Sequence, residues 1–187
     1  AWYPGQSGGK AVADVVFGDY NPAGRLPVTF YKNINQLPDF ENYNMKGRTY
    51  RYMLDAPLFP FGYGLSYTTF EYGKAKISKK KIKQNQPLKL TVSVTNTGKM
   101  DGEEVIQIYM KKAGDDNGPI LTLRDFKRVK ITAGKTEKIK FELSGSQLEW
   151  WNENTGEVEI HGGKFEIFAG PSSKKEDLIK AGVVQIK

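Results

Sequence analysis

Four runs of alternating apolar residues in the second half of this chain constrain its fold more than any other feature. Leu88, Leu90, Val92 and Val94 form the first and Ile106, Ile108 and Met110 the second. Ile139, Phe141 and Leu143 form the third, and Phe165, Ile167 and Ala169 the fourth. Residues two apart share one face of a strand, so each run describes a strand with one buried side. Turn sequences separate the runs: Thr97-Gly98, Asp101-Gly102, Ala133-Gly134, Asn154-Thr155-Gly156 and His161-Gly162-Gly163. Short strands punctuated in this way predict an all-β sandwich of about seven strands over residues 67–187, with an immunoglobulin or fibronectin III topology.

The first 66 residues read differently. In residues 1–31, Gly5, Gly8 and Gly9 form a loop, and Ala11, Val12, Val15 and Val16 follow at helical spacing. Gly18 is placed to end that helix. Asn21-Pro22-Ala23-Gly24 signals a turn, and Arg25–Phe30 predicts a short strand that Pro27 confines to an edge or an end. One helix and one strand cannot bury a core, so this block reads as a small α/β remnant that packs on further chain. Residues 32–66 carry Pro38, Pro57 and Pro60 with little periodicity. Their aromatics, among them Phe40, Tyr43, Tyr50, Tyr52, Phe59, Phe61 and Tyr63, predict an ordered irregular linker, strapped across a surface. The fold class is therefore mainly β.

Composition removes several classes of function. The chain has no cysteine, which excludes disulfides and thiolate metal sites. Its single histidine, His161, precedes two glycines and reads as a turn residue. No metal or other cofactor is expected. No apolar run is long enough to span a bilayer, and no membrane partner is expected. The formal charge is +7, and residues 1–66 contribute little of it, with six Lys and Arg against five Asp and Glu. Lys79-Lys80-Lys81 with Lys83 forms a basic patch. Acids are interspersed and no recognition motif accompanies it, so it reads as a solvated strand end, with no nucleic-acid partner expected.

Three groups of residues have the form of catalytic or binding chemistry. Gly5-Gln6-Ser7-Gly8-Gly9 matches G-x-S-x-G, the turn that exposes a nucleophilic serine between a strand and a helix. A serine esterase would have to recruit His161 from the distant sandwich, so the preferred reading is a glycine-rich loop with Ser7 as helix cap. The same loop lacks the G-K-[ST] ending of a phosphate-binding loop. Glycoside hydrolysis needs two carboxyl groups, one donating a proton and one attacking or activating water. Glu103-Glu104, Asp115-Asp116 and Glu157/Glu159 are candidate pairs, and all read as solvated strand or turn residues. Trp150-Trp151 points to sugar stacking. In a strand the two rings face opposite ways, so one is expected in the core and one at the surface.

Several strings together resemble glycoside hydrolase family 3. WYPGQSGGKAVADVVFGDYNPAGRLPVTF is similar to the end of that family's α/β-sandwich domain, and MKGRTYRYM with PLFPFGYGLSYTTFEY to the strap that follows it. VTNTGKMDGEEVIQIYM, LRDFKRVKI and GGKFEIFAGPSS are similar to its fibronectin III-like domain. NMKGRTYRY leans toward the β-xylosidase-like branch over the β-glucosidase-like one.

The resemblance implies the C-terminal part of a retaining exo-glycosidase acting on terminal β-linked glucose or xylose. It implies an Asp nucleophile in an N-terminal barrel and a Glu acid/base in the α/β-sandwich domain. Both lie upstream of the matching segment, so no catalytic residue is carried over. Gln6 stands where many family members have Glu. Trp2, Tyr3 and Gln6 are expected near the rim of the substrate cleft, and Trp150 and Trp151 are the candidates for stacking on sugar. The implied partners are the upstream catalytic domains, the oligosaccharide substrate of the intact enzyme, and a second copy of the chain. The implied setting is periplasmic or extracellular. The rival reading is an autonomous carbohydrate-binding module, which would be retarded by soluble xylan; no retardation is expected.

Overall fold

The computed structural model describes residues 3–187. The first element is α1 (Gly8–Phe17), and Gly18 closes it in the left-handed conformation, φ 85°. A one-turn helix α2 (Thr49–Tyr52) lies within the strap. Ten strands follow: β1 (Phe70–Ile77), β2 (Lys81–Ile82), β3 (Leu88–Asn96), β4 (Gly102–Lys112), β5 (Thr122–Ile131), β6 (Thr136–Leu143), β7 (Trp150–Asn152), β8 (Glu157–Glu159), β9 (Gly163–Gly170) and β10 (Ile179–Ile186).

Seven of these strands are eight to eleven residues long and form the sandwich. One sheet has the order β1-β3-β6, and the other has β2-β10-β9-β4-β5. Three strands facing four is the expected fibronectin III arrangement, with β2 added as a short edge strand parallel to β10. The alternating runs supply the core. Leu88, Val92, Val94, Ile106, Ile108, Met110, Leu143, Phe165, Ile167 and Ala169 are fully buried in one cluster with Phe141 and Ile139. β7 and β8 form a separate hairpin, which pairs Trp151 with Val158.

β4 departs from alternation, because Ile106 through Met110 are all buried. Ile106, Ile108 and Met110 face the core, whereas Gln107 and Tyr109 lie under the strap. Tyr50 of α2 stacks on Phe61 at 4.3 Å and meets Tyr109 edge-on at 6.1 Å. A strand is buried on both faces when a second layer covers its outer side.

The expected strand over Arg25–Phe30 does not form. Leu26 N–H donates to Tyr63 O, and Gly62 N–H donates back to Leu26 O. Phe30 N–H donates to Phe59 O, and Leu58 N–H to Phe30 O. These two antiparallel pairs reduce to one isolated bridge, Phe30 with Phe59. Pro27 and Pro60 lie between them and have no N–H to give, so the ladder cannot run through.

Candidate functional site

The loop ahead of α1 is open to solvent. Tyr3 is fully exposed and Gln6 is exposed, while Trp2 lies outside the described residues. Ser7 does not cap α1 as expected. Its side chain makes no capping hydrogen bond, and its carbonyl alone accepts from Ala11 N–H. His161 sits far from Ser7 in sequence and is engaged elsewhere, with its Nε2 3.0 Å from Lys112 Nζ. Lys79, Lys80, Lys81 and Lys83 are exposed at a strand end.

The two adjacent tryptophans face opposite ways. Trp150 is buried, with Phe165 edge-on at 5.6 Å and the Arg124 guanidinium 4.9 Å from its ring centre. Its Nε1–H donates to Asp115 Oδ2 at 3.3 Å. Trp150 therefore presents no ring face to a ligand, and of the proposed stacking pair only Trp151, 53% exposed, can.

The carboxylate pairs are spent on structure to different degrees. Glu157 is exposed, and Glu159 is held by Asn152 and Thr155. Asp115 also accepts from Gly118 N–H at 2.7 Å. Glu103 pairs with Arg128 and with the Tyr20 hydroxyl. The hydrogen bond from Arg128 holds its carboxyl below the ordinary range.

Glu104 corrects the expectation of a solvated residue. Its side chain is 2% exposed, and both oxygens are occupied. Arg25, itself 10% exposed, donates to Oε2 at 2.5 Å, and the Tyr72 hydroxyl donates to Oε1 at 2.7 Å. Burial pushes the Glu104 carboxyl up, while Arg25 and Tyr72 pull it back. The Tyr72 hydroxyl is raised well above its ordinary value by burial and by the adjacent carboxylate. A buried carboxylate is tolerated only when a cation and further donors satisfy it.

This group is one of several seams that join residues 1–66 to the sandwich. In a second, Gln107 accepts from Tyr109 OH at 2.5 Å and donates to Gly62 O and Pro171 O. In a third, Asn21 donates to Asp101 O and accepts from Ser66 Oγ and Tyr67 N–H. Two glycines of the PFGYGLSYT string are set by these seams. A Cβ on Gly62 would lie 2.1 Å from Gln107 Oε1, and its φ is +80°. One on Gly64 would lie 2.2 Å from Gly24 O and 2.7 Å from Arg25 Nη1.

The seams at Glu104 and Gln107 join two regions that match different family models. Residues 1–67 match the glycosyl hydrolase family 3 C-terminal domain, and residues 104–173 match the fibronectin type III-like domain. The chain belongs to glycoside hydrolase family 3. It is 54% identical over 180 residues to a xylan 1,4-β-xylosidase of Xylanibacter ruminicola, which covers 96% of this chain and 21% of that protein. It is 35% identical to a periplasmic β-glucosidase of Salmonella typhimurium, over 93% of this chain and 24% of that protein. A β-glucosidase structure from Erythrobacter marinus superposes with a TM-score of 0.79 at 34% identity, over 96% of this chain and 24% of that one. The chain thus spans about a fifth to a quarter of the length of these family 3 proteins, corresponding to a C-terminal part of them.

Proposed function

We propose that this chain is the C-terminal structural region of a retaining, exo-acting β-glycosidase that releases terminal β-linked glucose or xylose from oligosaccharides. Most of each relative's length lies outside the match. The attacking Asp and the acid/base Glu are assigned to that part, and this chain is assigned no catalytic residue.

Its role is to brace the catalytic domains. The observation that carries this reading is the buried Arg25–Glu104–Tyr72 group, which ties the family 3 C-terminal segment to the fibronectin III-like sandwich. A scaffold must hold its layers at fixed geometry, and a buried carboxylate with both oxygens hydrogen-bonded across the seam does so more specifically than apolar contact. The surface to be braced is the exposed apolar side of residues 3–66, where Val16, Phe17, Phe40 and Tyr43 are largely open to solvent. The upstream domains of the same polypeptide are the proposed cover, with a second copy of the chain as the competing occupant. Tyr3 and Gln6, with Trp2 ahead of them, form the proposed rim of the substrate cleft.

Incubating the purified 187-residue chain with an aryl β-glucoside and an aryl β-xyloside is expected to release no phenol. Turnover that disappears when one of the chain's own carboxylates is changed would overturn the reading.

A further inference from the structure

We propose that the cleft between α2, the β4–β5 loop and the β7–β8 hairpin is a binding subsite for a neutral oligosaccharide, contacted by Trp151, Arg51, Arg124 and Asp116. The proposal does not depend on where catalysis takes place, and it reverses the expectation that the chain ignores xylan.

The cleft has a volume of about 710 Å³, within the range of ligand sites. Arg51 enters it from the strap, Arg124 from β5, Asp116 from the β4–β5 loop and Trp151 from β7. Four separate parts of the chain thus converge on one cavity. The two guanidinium groups are the unusual feature. Among the described residues neither makes an ion pair or donates a side-chain hydrogen bond, and the Nε of each is buried without a partner. Arg124 is held over the Trp150 ring, which fixes its position. Burial and the neighbouring charge of Arg51 push Arg124 down to about 10, so it stays cationic at neutral pH. The Nη groups of both arginines are not among these buried atoms and bond nothing among the described residues, so they are the donors that the cleft offers to a ligand's acceptors.

The chemistry of those acceptors follows from the rest of the wall. Carboxylates outnumber the cations Arg51, Lys112 and Arg124 around the cleft, so an anion would meet repulsion as well as attraction. Asp116 is exposed, and its carboxylate makes no hydrogen bond among the described residues. A hydroxyl group can donate to a carboxylate and accept from a guanidinium together. A ligand dense in hydroxyls satisfies both kinds of wall. Trp151 and its cross-strand partner Val158 are both more than half exposed on one face of the hairpin. They offer a flat apolar surface of the kind on which the C–H face of a pyranose packs, with an indole as its broadest part.

Isothermal titration calorimetry of the intact chain with xylohexaose and with cellohexaose tests the assignment. Saturable binding of at least one is expected, weakened about tenfold or more by Trp151→Ala, a loss of about 1.4 kcal/mol or more. Asp116→Ala, on an exposed loop where folding is not at stake, is expected to weaken it as well. Inorganic sulfate at matched ionic strength is expected not to compete. Absence of saturable binding to both hexasaccharides overturns the proposal. So does binding that neither substitution changes, and so does displacement by sulfate, which would mark the cleft as an anion site.

Discussion

At the scale of single residues, Glu104 and Arg25 show what local sequence leaves open. Glu103-Glu104 reads as two strand carboxylates, and alternation says only that they face opposite ways. Which one is buried depends on Arg25, 79 positions away, and on Tyr72 in another strand. The pair should behave as a unit. Arg25→Met alone is expected to destabilise the chain by about 3 kcal/mol or more, because it leaves a buried carboxylate without its cation. Adding Glu104→Gln should recover part of that loss, since the amide oxygen still accepts from Tyr72 and no charge is stranded. Urea denaturation of the two single variants and the double variant measures the coupling. Additive losses would show that the contact carries no coupling energy.

At the scale of elements, the strands of the sandwich were legible and the flanking pieces only partly so. Leu88 to Val94 and Ile139 to Leu143 could be read because a half-buried strand writes its environment at every second position. The helix was equally plain from Val12, Val15, Val16 and Gly18. The expected strand at Arg25–Phe30 failed because two prolines on opposing segments interrupt its ladder, and only one of them, Pro27, lies within the segment itself. α1 has no buried residue, and a ten-residue helix without tertiary support is marginal in water. Its amides are therefore expected to exchange far faster than those of β3 and β4 when this chain is studied on its own, as hydrogen-exchange mass spectrometry can measure. Protection equal to that of the core strands would mean that α1 is held by contacts beyond Tyr67 OH to Val15 O and the Gly18 cap.

At the scale of the whole molecule, the strap is part of the fold rather than a tether. It closes the outer face of β4, and Gln107 and Tyr109 change from surface residues to buried ones beneath it. Strap and sandwich are accordingly expected to unfold together. The near-ultraviolet circular dichroism of the strap aromatics and the far-ultraviolet signal of the strands should be lost at one denaturant concentration. Two separated transitions would show the strap to be an independently melting layer.

Alternation, turn residues and the strings typical of the family were enough to specify a β-sandwich, an apolar helix and a membership in glycoside hydrolase family 3, because each is written in residues close together in the chain. The PFGYGLSYT string could be recognised, but not explained, from its letters. Gly62 and Gly64 are demanded by Gln107, Gly24 and Arg25, which approach them only after folding. The burial of Glu104, the choice of Trp150 rather than Trp151 for the core and the convergence of Arg51 with Arg124 were likewise decided by tertiary structure. Each depends on which distant segment arrives to remove water from a side chain, and periodicity along one strand carries no record of that.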